Sequence, residues 1–226
     1  MDFFRELSGK RVFAELRLIL QEENPVPAIR RLNDFNLLKV IHPSIKLANN
    51  LLATLNSAEK VLSWHDLLFL EESYKKWIVY FLVLIRNCKP HISKEICRRF
   101  ELVPDDEKLL CTERFEADRC VVWLERNLTV SDSVLYRKLT GFKTELILFM
   151  MAVTTKKAVT KSISHFFTDL RRTKLSLKGR DLKKMGLQPG PVYRQVMEAV
   201  LDARLDGTLK SKKDEIEFAR RLVAEQ

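Results

Sequence analysis

The sequence predicts an all-α protein, and three observations carry the prediction. Apolar residues recur at three- and four-residue spacing through almost the whole chain, as the buried face of a helix requires. Six glycines and seven prolines in 226 residues are too few for the many turns of a sheet protein. With 46% hydrophobic residues, a chain of this length can bury a core. The expected architecture is an elongated array of many helices with no significant sheet.

The elements follow in chain order. Ser8-Gly9-Lys10-Arg11 precedes a helix with Val12, Leu16, Ile19 and Leu20 on one stripe, which stops at Asn24-Pro25. Pro27 starts a second helix that runs to about Phe35, and Asn36 takes the left-handed position that ends it. Further helices are predicted near 45–62, 65–86, 93–101, 105–126, 132–139, 142–153 and 156–173, with breaks at Pro90 and Pro104. Trp77 to Ile85 and Leu146 to Val153 are apolar on every side, so these two helices should be central to the core.

The stretch from Gly179 to Gly207 is the most strongly punctuated. Asp181 caps a short helix, Gly186 ends it with a positive φ, and Leu187 folds back as the apolar contact. Pro189-Gly190-Pro191 forms a rigid corner, with Pro191 at the first position of a long helix that reaches about Asp206 and stops at Gly207. On that helix Val192, Val196, Ala199, Val200 and Ala203 form the buried face, and Arg194, Glu198 and Arg204 lie elsewhere. Ser211-Lys212-Lys213-Asp214 reads as a capping box opening a last helix, whose apolar positions are Ile216, Phe218, Ala219, Leu222 and Val223.

Charge is distributed unevenly. The net charge is +10, but residues 137–194 hold 14 Lys and Arg against 3 acidic residues, while the rest of the chain is nearly neutral. Localised basicity of this kind is the electrostatic footprint of a polyanionic partner. Cys88, Cys97, Cys111 and Cys120 have neither zinc spacing nor that of a compact disulfide framework, and read as reduced core thiols. The longest apolar run is far shorter than the roughly 20 residues that span a bilayer, and charged residues follow Met1 closely. A cytoplasmic protein that does not enter membranes is expected.

Two sets of residues resemble one family. Gly179-x-Asp181-Leu182, Gly186-Leu187-x-Pro189-Gly190-Pro191 and Asp206-Gly207 are similar to the C-terminal part of bacterial tRNA nucleotidyltransferases, the CCA-adding and A-adding enzymes of the poly(A) polymerase superfamily. Ser8 to Glu15-Leu16, Pro27-Ala28 with Leu32, and Asn36-Leu37-Leu38 through Ile41-His42-Pro43 resemble the neck of the same enzymes, with Asn36 in place of the usual glycine. The resemblance implies a neck over 1–45, a helical body over 46–174 and a helical tail over 175–226.

It also implies that catalysis belongs to an N-terminal head, where Asp-x-Asp holds the metal ions of phosphoryl transfer. This chain contains no Asp-x-Asp, and its single Asp pair, Asp105-Asp106, is followed by Leu109 where a nucleotide-templating arginine would stand. The chain therefore reads as the part downstream of that head, expected to be inactive alone. ATP or CTP and magnesium would belong to the head, and no cofactor or metal is assigned to this chain. The implied partner is tRNA, held at its acceptor stem and elbow, with the head in the full-length protein; homodimerisation is left open.

The residues expected to touch RNA are Lys157, Lys161, Arg171, Arg172, Lys174, Lys178, Arg180, Lys183, Lys184 and Arg194, with Tyr193 placed to stack on an exposed base. Lys157, Lys161, Ser164, Thr168 and Arg171-Arg172 recur at helical spacing and predict a basic stripe opposite Ile163, Phe166, Phe167 and Leu170. Two other readings were weighed. His65-Asp66 is the doublet of metal-dependent phosphohydrolases, with His42 and Asp118 or Asp132 as imaginable partners, although Asp66 capping a helix accounts for it more simply. The other is a helical protein-interaction scaffold.

Overall fold

The computed structural model describes residues 8–224, among which there are helices and no strand. They form two compact units, one of Met1–Arg126 with Phe142–Thr160 and one of Asn127–Gly141 with Lys161–Gln226. These units do not follow the neck, body and tail boundaries. Residues 127–141 and the greater part of the 157–168 helix fall in one unit with 175–224, and residues 8–45 fall in the other with 46–126.

The first unit holds α1 (Gly9–Gln21), α2 (Val26–Asp34), α3 (Leu38–Ile41), α4 (Asn49–Asp66), α5 (Lys76–Leu84), α6 (Pro90–Arg99), α7 (Pro104–Lys108), α8 (Arg114–Arg126) and α10 (Thr144–Val153), with α9 lying in the second unit. Trp77 to Ile85 and all of α10 are buried, as their uniform apolarity predicts, and α4 packs on both α5 and α10. Phe13 of α1 stacks on Phe100 at 5.4 Å and meets Trp77 edge-on at 5.2 Å, which ties the first helix to this core. Gly9 is required by a close approach: a Cβ there would lie 2.0 Å from the Arg99 carbonyl oxygen.

Two predicted helices are interrupted. The chain leaves the helix after Asp66 and re-enters it at Lys76, so 65–86 is not one element. The cause is tertiary: Glu145 of α10 accepts the Lys75 amide at 2.8 Å and fixes the start of α5, while Tyr74 donates to Asp66 at 2.7 Å across the intervening loop. The 105–126 helix contains a π-helical turn, Leu109–Glu113. Directly after it comes the wholly buried Arg114, which donates to the carbonyls of Arg86 at 2.7 Å and Cys88 at 3.1 Å and to Ser93 Oγ at 3.2 Å. A cation at these chain ends satisfies carbonyls that a helix leaves without partners.

The second unit holds α9 (Asp132–Leu139), α11 (Lys157–Thr168) from Lys161 onward, a 3-10 turn (Leu170–Arg172), α12 (Gly179–Lys184), α13 (Pro191–Leu205) and α14 (Lys212–Ala224). Leu177, Leu182, Val196, Val200, Leu209 and Ala219 form the buried cluster around which α12, α13 and α14 close. Polar clamps complete the unit. Asp206 accepts both the amide and the hydroxyl of Ser133 at 2.8 Å, and Arg137 binds Asp202 through Nε at 2.9 Å and through Nη2, so α9 is fastened to α13. Glu215, fully buried on α14, accepts the Leu177 amide at 2.7 Å and faces Arg204 at 3.8 Å.

Candidate nucleic-acid interface

The scaffold of this region is the punctuated stretch. Gly186 has φ 91°, its amide bonds to the Lys183 carbonyl, and Leu187 bonds back to Leu182 at 3.2 Å, which is the paired closure of a Schellman stop. Gly207, at φ 74°, ends α13 in the same way, with Thr208 bonded to Ala203. Pro191 occupies the first turn of α13, and the Ser211/Asp214 box is reciprocal: Asp214 accepts the Ser211 amide at 2.8 Å and Ser211 Oγ accepts the Asp214 amide at 3.2 Å.

Two details differ from expectation. Asp181 is not the N-cap of α12; it is the third helical residue and reaches back to accept the Lys178 amide at 3.0 Å. That bond, with Lys212, Arg180 and Lys184 nearby, holds its carboxyl below the usual range. Val192 is exposed rather than part of the buried stripe of α13, because the first turn extends past the core; Leu205 at the other end is buried instead.

On this frame the basic residues stand outward. Lys161, Arg172, Lys174, Lys178, Arg180, Lys183 and Lys184 of the second unit are exposed, and among the described residues they carry no ion pair. Lys157, also exposed, belongs to the first unit. Arg194 is exposed but bonded to Glu198 at 2.7 Å, one turn along α13. Tyr193 is half-buried against the cluster, its hydroxyl 1.9 Å from where a Cβ on residue 179 would lie, so Gly179 is the seat of that ring.

The predicted basic stripe is shorter than its spacing suggested. α11 ends at Thr168, and Arg171-Arg172 lie in the 3-10 turn, where Arg171 turns its guanidinium over the Phe167 ring at 5.6 Å and Arg172 remains exposed. His165 on the same helix is bonded to Asp169 at 3.0 Å and to Asp132 of α9 at 3.2 Å. Burial opposes its protonation, but these two carboxylates outweigh burial and raise its pKa.

The fold adds one basic residue outside the 137–194 run. Arg220 of α14 lines a groove together with Lys184 and Asp181 of α12 and the apolar Met185, Ile216 and Val223. In sequence Arg220 lies well outside the basic run of residues 137–194; only the packing of α14 near α12 brings it beside Lys184.

The metal-site reading of His65-Asp66 finds no constellation. His65 is buried at the end of α4 with its ring edge-on to Tyr74 at 5.0 Å, and Asp66 is the last residue of that helix rather than the cap of a following one. His42 accepts the Ser44 amide, Asp118 faces Arg86 and Arg114, and Asp132 serves His165, so the imagined ligands are occupied apart from one another. Among the described residues no three His, Cys, Asp or Glu side chains gather to hold an ion.

Comparison with known proteins agrees with this architecture. Residues 3–48 match a family described as the probable RNA and SrmB-binding site of polymerase A. The A-adding tRNA nucleotidyltransferase of Geobacter sulfurreducens is 35% identical over 99% of this chain, which spans 26% of that protein. The A-adding enzyme of Halalkalibacterium halodurans is 21% identical over 95% of the chain and 46% of its own length. Among solved structures, the Thermotoga maritima CCA-adding enzyme complexed with tRNA shares the fold with a TM-score of 0.78 at 21% identity, covering 98% of this chain and 52% of that one. The chain thus spans about a quarter to a half of the relatives it matches. Over nearly all of its length the chain is similar to part of these A-adding enzymes and shares the helical fold of the CCA-adding enzyme.

Proposed function

We propose that this chain is the tRNA-gripping part of a tRNA nucleotidyltransferase, holding acceptor stem and elbow while a catalytic head, with ATP or CTP and magnesium, extends the 3′ end. The observation that supports this most is the exposed run of lysines and arginines on α12, near which the carboxylate of Asp181 is engaged by the Lys178 amide and by Lys212. Cations on a rigid helical frame contact phosphates without reading bases, which suits a partner of one shape and many sequences. Arg220, which lines one groove with Lys184, extends the phosphate-binding surface beyond the residues the sequence indicates.

The test is a gel shift with tRNA across a salt series. About five phosphate contacts give a log–log slope near −4. Arg172→Glu with Lys184→Glu should lower affinity at least tenfold and flatten the slope. Affinity indifferent to salt removes the reading. The chain alone is expected to add no nucleotide to tRNA.

A further inference from the structure

Four cysteines that read as inert core thiols are not equivalent. Cys97 of α6 and Cys111 of the π-helical turn, 14 positions apart, bring their sulfurs to 3.2 Å, in hydrogen-bond contact. Cys88 and Cys120 are buried as well. We infer that Cys97 and Cys111 form a dithiol site that reacts with low-molecular-weight disulfides and closes to an intramolecular disulfide.

The geometry distinguishes the roles of the two sulfurs. The hydrogen bond between the two sulfurs lowers the Cys111 pKa against its burial, and the buried Arg114 guanidinium nearby acts in the same direction. The same hydrogen bond, together with burial, raises Cys97. One thiol inclined to ionise beside one inclined to stay protonated is the division of labour of a reactive dithiol. Cys111 is also the more accessible of the two, 5% exposed against 1%. A surface groove lined by Lys94, Arg98, Glu101 and Glu107 reaches Cys97, whose sulfur touches that of Cys111.

The chemistry balances with a small disulfide as oxidant. The Cys111 thiolate attacks one sulfur of oxidised glutathione, breaking its S–S bond and releasing one glutathione thiolate. Cys97 then loses its proton and attacks the mixed disulfide at Cys111 Sγ, releasing the second glutathione. Two thiol hydrogens leave the protein and two glutathione molecules are reduced. The product fastens α6 to the π-helical turn. α6 is also the helix whose Arg99 donates to the carbonyls of Val40 and Ile41 at the end of α3, so the cross-link lies directly behind a support of the first three helices.

The experiment incubates the folded chain with oxidised glutathione, alkylates, unfolds, alkylates again with a second reagent and digests with trypsin without reduction. Expected is the peptide Glu95–Arg98 joined to Leu109–Arg114, less two hydrogen atoms, with Cys88 and Cys120 labelled only by the second reagent. In Cys97→Ser, a glutathione adduct should persist on Cys111. Stable glutathione on the wild-type chain without the cross-link overturns the inference, as does cross-linking of Cys88 or Cys120 in comparable yield, or four thiols all recovered intact.

Discussion

Helices α10 and α14 differ in what holds them. Every residue of α10 is buried, and apart from its first turn it is entirely apolar. α14 buries only Ala219 and Glu215, and the latter is a carboxylate that accepts an amide from the chain ahead of α12. The first helix is held by removal of apolar surface, which is non-directional and tolerant of detail. The second adds to a thin apolar contact one hydrogen-bonded charge, which is directional and intolerant of loss. The contrast extends to the units around them: aromatic stacking and two all-apolar helices in the first, clamps by Asp206, Asp202 and Glu215 in the second.

The sharpest test of this contrast removes one anchor from each helix. Phe149→Ala in α10 should cost about 3–5 kcal/mol, the transfer term plus the cavity left in a fully packed site. Glu215→Ala should cost about 1.5–3 kcal/mol, the loss of a charge-assisted bond with a buried amide left over. Hydrogen exchange, read separately in α5 with α10 and in α12 to α14, localises each effect. If Glu215→Gln, which can still accept the Leu177 amide, proves as harmful as Glu215→Ala, then the carboxylate's charge rather than its amide bond is what matters at α14.

How far each region was legible follows from the same difference. The two central helices stand out in the sequence because burial on every side needs nothing but apolar residues. The stops at Gly186, Gly207 and Asn36 were equally plain, since positive φ restricts residue choice within a single turn. The clamps were not legible, because Asp206 and Ser133 are 73 positions apart and neither is unusual where it stands. The break after Asp66 was missed for a related reason: the Glu145 carboxylate that starts α5 comes from 70 positions downstream. Of the basic surface, the residues around α12 were visible as a charge excess, whereas the end of α11 was misjudged because helical spacing was extended through Asp169, and Arg220 emerged only with the packing of α14.

A smaller effect is expected at the seat of Tyr193. Gly179→Ala places a methyl group against the Tyr193 hydroxyl and should cost about 1–2 kcal/mol through overpacking. Tyr193→Phe removes the opposing oxygen, so the double variant should recover part of that loss. Additive costs in a double-mutant cycle read from thermal melts would show that the ring moves aside freely and does not organise the corner.

The His165 clamp makes the second unit sensitive to pH. Its folded-state pKa lies above the ordinary value because Asp132 and Asp169 outweigh burial. The stabilisation is therefore fully present below pH of about 6.5 and fades as pH rises through the elevated value. The ring is partly exposed and Arg172 also acts on Asp169, so solvent and a neighbouring cation moderate the effect. His165→Gln should remove the downward slope of stability between neutral and mildly alkaline pH, measured by urea midpoints; an unchanged slope would move the titration to another group.

The smallest expected change is at a helix stop. Asn36 ends α2 at φ 60° and Glu101 ends α6 at φ 53°, both with the same paired closure of amides onto the preceding turn. Asparagine tolerates this conformation through its short polar side chain, whereas glutamate has no such compensation. Replacing Glu101 by glycine should therefore raise stability by up to about 1 kcal/mol, with relief of the left-handed strain exceeding the entropy glycine adds to the unfolded chain. At Asn36 the two terms nearly cancel, so Asn36→Gly should shift stability by no more than a few tenths of a kcal/mol, or about a degree in Tm. A gain at Asn36 equal to that at Glu101 would mean that asparagine bears the full left-handed cost here and that its polar side chain compensates nothing.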